Sequence, residues 1–326
     1  MEQSFRQGVL LGEETCNFSR TLWLGRWCGD SFYAFLQMLA FAHLRVVGAQ
    51  NIVNVAVTCC CSETFRKDFQ MLDAVFVVGT GRSGTHFTCR ALAGFENISD
   101  PLNGHENGNV LYKIANSAIY HKEYPIDAVK YYSERKGEYF GKSIFLDQHH
   151  PNLFFTEDIS RIFLKPVFLY PSRPVVQVVA SMLQHKGVLA WYDVARRSFG
   201  WKNLGKSIPL PNRFLGVENK QQLFDMELHK LCALRVLAHY QKMKSLSYSD
   251  INCRFVKYEA LISDQEEEFG RVFSKAEMKS LGTFNIVEVG NAVSLNKYSS
   301  VLSARQIDDI AELEQNWNDS RALADI

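Results

Sequence analysis

One stretch of the chain constrains the fold more than any other. In AVFVVGTGRSGTHFTCRALAGF, residues 74–95, an apolar run leads into a glycine-rich loop and then into an amphipathic segment. The apolar run predicts a buried strand at Ala74–Val78. Phe87, Ala91 and Phe95 then share one face of a helix because they are spaced by four residues. A strand that enters a helix through a glycine-rich loop is typical of α/β domains that bind phosphate at the helix N-terminus.

The rest of the chain from residue 71 onward repeats the same alternation of strand, turn and helix. Such alternation predicts an α/β fold with a central parallel β-sheet flanked by helices. The predicted elements are a strand at 166–170, a helix at 174–186, a long helix at 220–245 and a short strand at 254–258. Two capping-box signatures, Ser263 with Glu266 and Ser303 with Gln306, predict further helix starts. We therefore assign residues 71–326 to one domain and residues 1–70 to an N-terminal extension.

Charge and cysteine content limit the partners and the compartment. The formal net charge is +1, so no overall field attracts nucleic acid, and no nucleic-acid partner is expected. The apolar patch at residues 31–44 is shorter than the ~20 residues that span a bilayer. The eight cysteines show no CxxC pair, which favours thiols in a reducing compartment. A cytoplasmic location is favoured, and a Golgi-type membrane anchor is the alternative.

The loop Gly79–Gly84 fits two phosphate-binding patterns in part. Its glycines satisfy the dinucleotide fingerprint G-x-G-x-x-G, and they also half-match the ATP-binding loop. In the ATP-binding pattern, however, Thr85 and His86 stand where lysine and a serine or threonine are required, so the usual magnesium contacts are missing. Arg82 adds a full positive charge inside the loop. These features favour a terminal phosphate or a similar anion that is held without an obligatory metal.

The segment Val78–His86 resembles the 5'-phosphosulfate loop of sulfotransferases that use 3'-phosphoadenosine-5'-phosphosulfate (PAPS). A second segment, Arg173–Ser181, is similar to the 3'-phosphate motif of that family, with an arginine at a strand end and a serine eight residues later. Pro174–Val176 replaces the usual Asp-Pro-Arg, which alters the turn but keeps both phosphate ligands. The resemblance implies PAPS as co-substrate and a P-loop-like sulfotransferase fold. The residues it implies for nucleotide binding are Gly81, Arg82, Ser83, Gly84, Thr85, His86, Arg173, Ser181 and Lys297.

Two weaker matches follow in the family's order and extend the resemblance over residues 73–318. The segment Tyr258–Leu261 looks like the family's Tyr-Glu-Asp-Leu strand end. The segment Ser294–Tyr298 resembles one that carries a Lys-Trp pair over the nucleotide, with Tyr298 in place of the tryptophan. The resemblance therefore implies that Lys297 approaches a phosphate.

The resemblance implies in-line transfer of a sulfuryl group to an acceptor hydroxyl, with no metal required. Arg82 and the loop amides would stabilise the charge that develops in the transition state. Glu106, in NGHENGN, is favoured as the general base. His149 or His150, in LDQHHPNL, would lie near the transferred group, and only one of these neighbours can face it if the segment is extended. Lys142 stands where a lysine would polarise the sulfuryl group.

The identity of the acceptor rests on an aromatic cluster after the second motif. Trp191, Tyr192 and Trp201 suit stacking against a sugar or a phenol. We expect carbohydrate rather than peptide tyrosine, because nothing in the sequence predicts a basic channel for an acidic peptide. Two other functions remain open: a small-molecule P-loop kinase with Asp147 as the magnesium ligand, and a relative that binds a phosphorylated ligand without turnover.

Overall fold

A computed structural model describes residues 72–141, 143–200, 207–287, 289–290 and 295–322. Within them, five strands form one parallel sheet in the order β2-β3-β1-β4-β5. The strands are β1 (Ala74–Val77), β2 (Ile98–Ser99), β3 (Ile144–Asp147), β4 (Pro166–Ser172) and β5 (Cys253–Lys257). The predictions for residues 1–70, Lys142 and Trp201 lie outside the described residues.

Helices connect and cover these strands. The helices are α1 (Thr85–Leu92), α2 (Gly108–Ile119), α3 (Ile126–Tyr139), α4 (Thr156–Ile162), α5 (Val175–Leu183), α6 (Lys186–Gly200), α7 (Lys220–Asp225), α8 (Leu228–Leu246), α9 (Tyr258–Ser263), α10 (Gln265–Val272), α11 (Lys275–Leu281), α12 (Tyr298–Val301) and α13 (Ala304–Ala322). A 3-10 helix, His150–Phe155, follows β3 directly.

The central strand β1 supplies both layers of the core. Successive side chains of a strand point to opposite faces of the sheet. Phe76 therefore packs in a large cluster with residues of α2, α3, α5 and α8. Val75 and Val77 pack in a second cluster with residues of α1, α9 and α10. All four residues of β1 are buried, which explains why the strand reads as a continuous apolar run. The predicted α/β fold with a central parallel sheet is confirmed.

Some predicted boundaries were wrong, for local reasons. The helix predicted at 220–245 is two helices, α7 and α8, separated by a break at Met226 and Glu227. Asp264, and not Ser263, caps α10 by accepting a hydrogen bond from the amide of Glu267. A carboxylate one residue later thus replaces the predicted serine cap. The capping box that opens α13 is confirmed, since Ser303 and Gln306 bond to each other's backbone amides.

None of the helices in the described part of the chain is both long enough and apolar enough to cross a bilayer.

Candidate active site

The candidate site lies where the carboxyl ends of three neighbouring strands meet. The glycine-rich loop follows β1, the histidine pair follows β3, and Arg173 follows β4. The amide of Gly79 donates to the carbonyl oxygen of His150 over 3.1 Å, which ties the loop to the end of β3. Because strand order reverses at β1, this edge of the sheet is where open α/β sheets place their ligands.

The loop adopts a backbone that only certain residues tolerate. Gly84, the N-cap of α1, has φ +107°, and a methyl group there would lie 2.4 Å from ring atoms of Tyr258. Arg82 also has a positive φ, 80°. No side chain caps α1, so the positive end of this helix faces the loop without a competing protein acceptor at its N-cap. An anion bound by the loop would meet this helix end.

A cavity of about 520 Å³ opens beside the loop. Its lining includes four cations that come from four separate parts of the chain: Arg82, Arg90, Arg173 and Lys297. No carboxylate is among the described residues that line it. A cavity lined by several cations attracts anions.

Most of the predicted nucleotide ligands meet in this cavity. Those that line it are Arg82, Gly84, Thr85, His86, Arg173, Ser181 and Lys297. The two others, Gly81 and Ser83, are not among the lining residues. The Ser83 side chain is buried and donates to the carbonyl oxygen of Thr80, and Gly81 lies against His150. Their roles in binding stay predictions, but the tertiary structure does bring the two arginine motifs into one cleft.

Arg173 is held in place by Gln177 and Tyr258. Its Nε donates to Gln177 over 2.7 Å, and Gln177 in turn donates to Glu259 over 3.1 Å. Its guanidinium also stacks 4.7 Å from the ring centre of Tyr258. Burial lowers the pKa of Arg173; Tyr258 and Glu259 raise it, and Arg82 lowers it further. Arg173 is thus a cation held in a defined position, and its pKa responds to the charge of Arg82.

The side chain of Arg82 does not point along the loop. Its Nε donates to Oγ of Ser181, in the second turn of α5, over 3.2 Å. The sequence led us to expect the two arginines at opposite ends of a nucleotide. In the structure, Arg82 instead reaches the serine that belongs to the motif of Arg173.

Glu106 and His150 form a close pair beside the loop. Oε1 of Glu106 lies 2.6 Å from Nδ1 of His150, and both side chains are mostly buried. Burial raises the pKa of Glu106, but His150, His86 and His149 outweigh this effect and bring it down to about 2. The ring's other nitrogen, Nε2, lies 3.4 Å from the position that a methyl group on Gly81 would occupy. The pair therefore directs Nε2 of His150 at the glycine-rich loop.

His86 lies on the other side of the same carboxylate. Its Nε2 is 3.8 Å from Oε2 of Glu106, and its Nδ1 is 3.0 Å from the carbonyl oxygen of Gly104. Burial lowers the pKa of His86, while Glu106 raises it and His150 and Arg90 lower it. A neutral His86 thus adds no positive charge to the lining of the cavity at neutral pH.

His149, the neighbour of His150, points into the protein. It is fully buried, with Nδ1 2.6 Å from Oδ1 of Asp147 and Nε2 3.0 Å from the amide of Asn107. Tyr132 donates to the other oxygen of Asp147 over 2.9 Å. Burial lowers the pKa of His149, but Asp147 outweighs this and raises it. Of the two histidines expected near the transferred group, His149 is therefore the one that faces away, because both of its ring nitrogens are engaged inside the core.

The predicted aromatic cluster is divided between core and surface. Tyr192 is fully buried and donates to the carbonyl oxygen of Leu231, so it cannot stack on an acceptor. Trp191 stacks on Tyr112 with ring centres 5.9 Å apart, and Tyr112 is 61% exposed. Tyr112 lies on α2, which begins two residues after Glu106.

Sequence reasoning missed the groups that position the site. Tyr132 lies in no motif, Gln177 lies inside the Arg173–Ser181 segment but was given no role, and Asp147 drew attention only as a metal ligand. Tyr258 was noted as part of a strand-end motif, yet its role under Arg173 depends on the pairing of β4 with β5. No local signal in the sequence could have identified these contacts.

Comparisons with known proteins return structures only. No protein-family model matches the sequence, and no curated protein matches it. The first similar structure is a sulfotransferase domain from the curacin biosynthetic pathway, with 10% identity, TM-score 0.42, and coverage of 74% of this chain and 98% of that one. A sulfotransferase from Alicyclobacillus acidocaldarius is similar with 12% identity and a TM-score of 0.44, over 74% of this chain and 91% of that one. The sulfotransferase domain of an olefin synthase from Synechococcus PCC 7002 is similar with 12% identity and a TM-score of 0.38, over 74% of this chain and 94% of that one. At these identities and TM-scores, the likenesses do not establish an activity for this chain.

Proposed function

We propose that this protein transfers a sulfuryl group from PAPS to an acceptor hydroxyl. The observation that carries the proposal is the single cavity, about 520 Å³ in volume, into which the loop arginine and the motif of Arg173 and Ser181 both project. A nucleotide with anionic groups at two positions needs two anion sites in one cleft. The cation-lined cavity at the N-terminus of α1 supports this requirement.

The binding scheme places the phosphosulfate on the glycine-rich loop. Its anionic oxygens would accept from the amides of the first turn of α1, where the helix dipole favours negative charge. Arg173 and Ser181 would hold the 3'-phosphate, and Lys297, which also lines the cavity, would approach a phosphate from the C-terminal segment.

His150 would be the general base. Nδ1–H of His150 donates to the ionised Glu106, which leaves the lone pair on Nε2 facing the loop. The acceptor oxygen attacks sulfur and gives its proton to Nε2, while the bond from sulfur to the 5'-phosphate oxygen breaks. The 3',5'-bisphosphate then leaves with the electron pair of that bond. Glu106, favoured as the base from the sequence, has a pKa of about 2 and takes the orienting role instead.

Nucleotide binding gives the first test. Calorimetry with adenosine 3',5'-bisphosphate should show tight binding to the wild type. Arg173→Ala should weaken it by roughly 1–3 kcal/mol, because a charge-assisted contact is lost. A wild type that does not bind this nucleotide would refute the proposal.

Transfer from labelled PAPS to pooled glycan, phenol and peptide acceptors gives the second test. His150→Asn should lower kcat by roughly 10²- to 10⁴-fold while nucleotide affinity is retained. His121→Asn is the matched control, since His121 lies outside the site and has a positive φ that asparagine tolerates. Equal activity in the two variants would remove His150 from the mechanism. Tight nucleotide binding without transfer to any acceptor would favour a non-catalytic binder.

A small-molecule kinase is the less favoured alternative. That function needs a carboxylate free to hold magnesium, and Asp147 was the candidate. Asp147 is buried, and its oxygens already accept from Tyr132, from the amide of His149 and from the His149 ring. These contacts support an internal structural role for Asp147.

Carbohydrate remains our proposed acceptor class. Tyr112 and Trp191 offer a stacked aromatic pair that is partly open to solvent. Such a pair suits the apolar face of a sugar ring. The pooled-acceptor assay would decide between glycan and phenol.

A further inference from the structure

His149 faces the core, yet one of its ring nitrogens contacts the backbone next to Glu106. We propose that His149 is a positioning residue for the proposed transfer reaction, because it fixes the backbone at Asn107. That contact holds Glu106 where its carboxylate orients the ring of His150. This inference rests on the proposed function and deepens it, because it names the group that keeps the base in position.

The contact with the loop exists in either protonation state of the ring. The amide of Asn107 lies 3.0 Å from Nε2 of His149 and can donate to a neutral ring. The carbonyl oxygen of Asn107 lies 3.3 Å from the same nitrogen and can accept from a protonated ring. His149 therefore keeps a partner on the backbone of Asn107 whether or not Nε2 carries a proton.

The other side of the ring is anchored to the sheet. Nδ1 of His149 lies 2.6 Å from Oδ1 of Asp147, the last residue of β3, and the ring is fully buried. Oδ2 of Asp147 accepts from Tyr132 and from the amide of His149, each over 2.9 Å. A buried ring that is bonded at both nitrogens is held rigidly. It therefore fixes the position of Asn107 relative to the end of β3.

The loop around Glu106 is neither helix nor strand, so its position depends on contacts of this kind. Residues 105–107 have no regular secondary structure, and α2 begins at the next residue. Oε1 of Glu106 lies 2.6 Å from Nδ1 of His150. A shift of about 1 Å in the loop would break this bond and release the ring of His150, and a misplacement of that size can cost roughly 10²-fold in rate.

Two substitutions of His149 separate its two contacts. His149→Asn keeps an N–H group near the position of Nδ1 but is too short to reach Asn107, whereas His149→Gln places an amide group near the position of Nε2. Asn107→Pro breaks the same link from the other side by removing the amide, and the φ of −71° at this position suits proline. Asn109→Pro is its matched control, because the amide it removes, in the first turn of α2, bonds to the side chain of Asn107.

The first readout does not depend on activity. Nitrogen NMR on full-length protein labelled in its histidines reports which ring nitrogen of neutral His150 carries the proton, and His150→Asn assigns the signals. We expect the proton on Nδ1 in the wild type, in His149→Gln and in Asn109→Pro. His149→Asn and Asn107→Pro should show a mixture of both tautomers, because Glu106 no longer selects one. An unchanged tautomer in both of these folded variants would overturn the inference.

The second readout is kinetic. In transfer from labelled PAPS to the pooled acceptors, His149→Asn and Asn107→Pro should lower kcat by roughly 10- to 100-fold. Their affinity for adenosine 3',5'-bisphosphate should stay at the wild-type value, because neither residue lines the nucleotide cavity. His149→Gln should retain most of the rate, and Asn109→Pro should match the wild type.

Coupling to Glu106 separates positioning from simple stabilisation of the fold. If His149 acts through Glu106, His149→Asn should lower kcat far less in a Glu106→Gln background than in the wild type. Additive losses, or equal losses in His149→Asn and His149→Gln, would overturn the inference and leave the proposed function standing. A wild type that transfers no sulfuryl group would refute the proposed function, and the tautomer of His150 would still decide whether His149 positions its ring.

Discussion

The contact between Gly84 and Tyr258 gives a prediction whose size can be worked out from the structure. Gly84 has φ +107°, where a residue with a Cβ is strained by about 1–3 kcal/mol. An added methyl group would also lie 2.4 Å from two ring carbons of Tyr258, and relieving such an overlap costs about 1–3 kcal/mol. Gly84→Ala should therefore lower the free energy of unfolding by about 2–6 kcal/mol.

The same substitution should also weaken nucleotide binding at the proposed site. Tyr258 is buried, and its ring supports the guanidinium of Arg173 at 4.7 Å. A ring displaced by the new methyl group would move Arg173. We therefore expect Gly84→Ala to bind adenosine 3',5'-bisphosphate at least roughly 10-fold more weakly, the loss of one charge-assisted contact.

Urea unfolding followed by circular dichroism would measure the first effect and calorimetry the second. Gly137→Ala is the control. Gly137 lies exposed in α3, without a positive φ and with nothing within 4 Å of an added methyl group. Removing a glycine from such a helix position should stabilise the protein by about 0.5–1 kcal/mol. If Gly84→Ala unfolds at the same urea concentration as wild type, the reasoning from the Tyr258 contact is refuted.

Two further predictions concern buried carboxylates. The pKa of Glu106 lies at about 2 instead of 4.5, so its ionised form contributes stability above about pH 4.5, and this contribution is lost as the pH falls toward 2. Between pH 6 and pH 2, Glu106→Gln should lose less stability than the wild type, by up to about 3 kcal/mol, as measured from urea unfolding at each pH. Parallel stability curves for the variant and the wild type would contradict this. Asp147→Asn should lower the free energy of unfolding by about 3 kcal/mol at neutral pH, because it breaks a buried pair with His149, while the exposed Asp250→Asn should change it by less than about 0.5 kcal/mol. Equal urea midpoints for the two asparagine variants would show that the buried network contributes little.

The sequence by itself determined the class of fold and the place of the loop. A continuous apolar run predicts a strand buried on both faces, and β1 is such a strand at the centre of the sheet. The loop glycines were also readable, since Gly84 has a positive φ that favours glycine. These features are local, and local backbone preferences appear directly in residue order.

Only the tertiary structure decided which groups of the site face one another. His149 and His150 are adjacent in sequence, yet one is bonded to Asp147 in the core and the other to Glu106 beside the loop. Arg82 and Ser181 are 99 residues apart and hydrogen-bonded. Such contacts depend on strand order and on the direction of each side chain, and neither is encoded by spacing along the chain. The parallel pairing of β3, β1 and β4 brings the loop, His150 and Arg173 to one edge of the sheet, and that pairing creates the site.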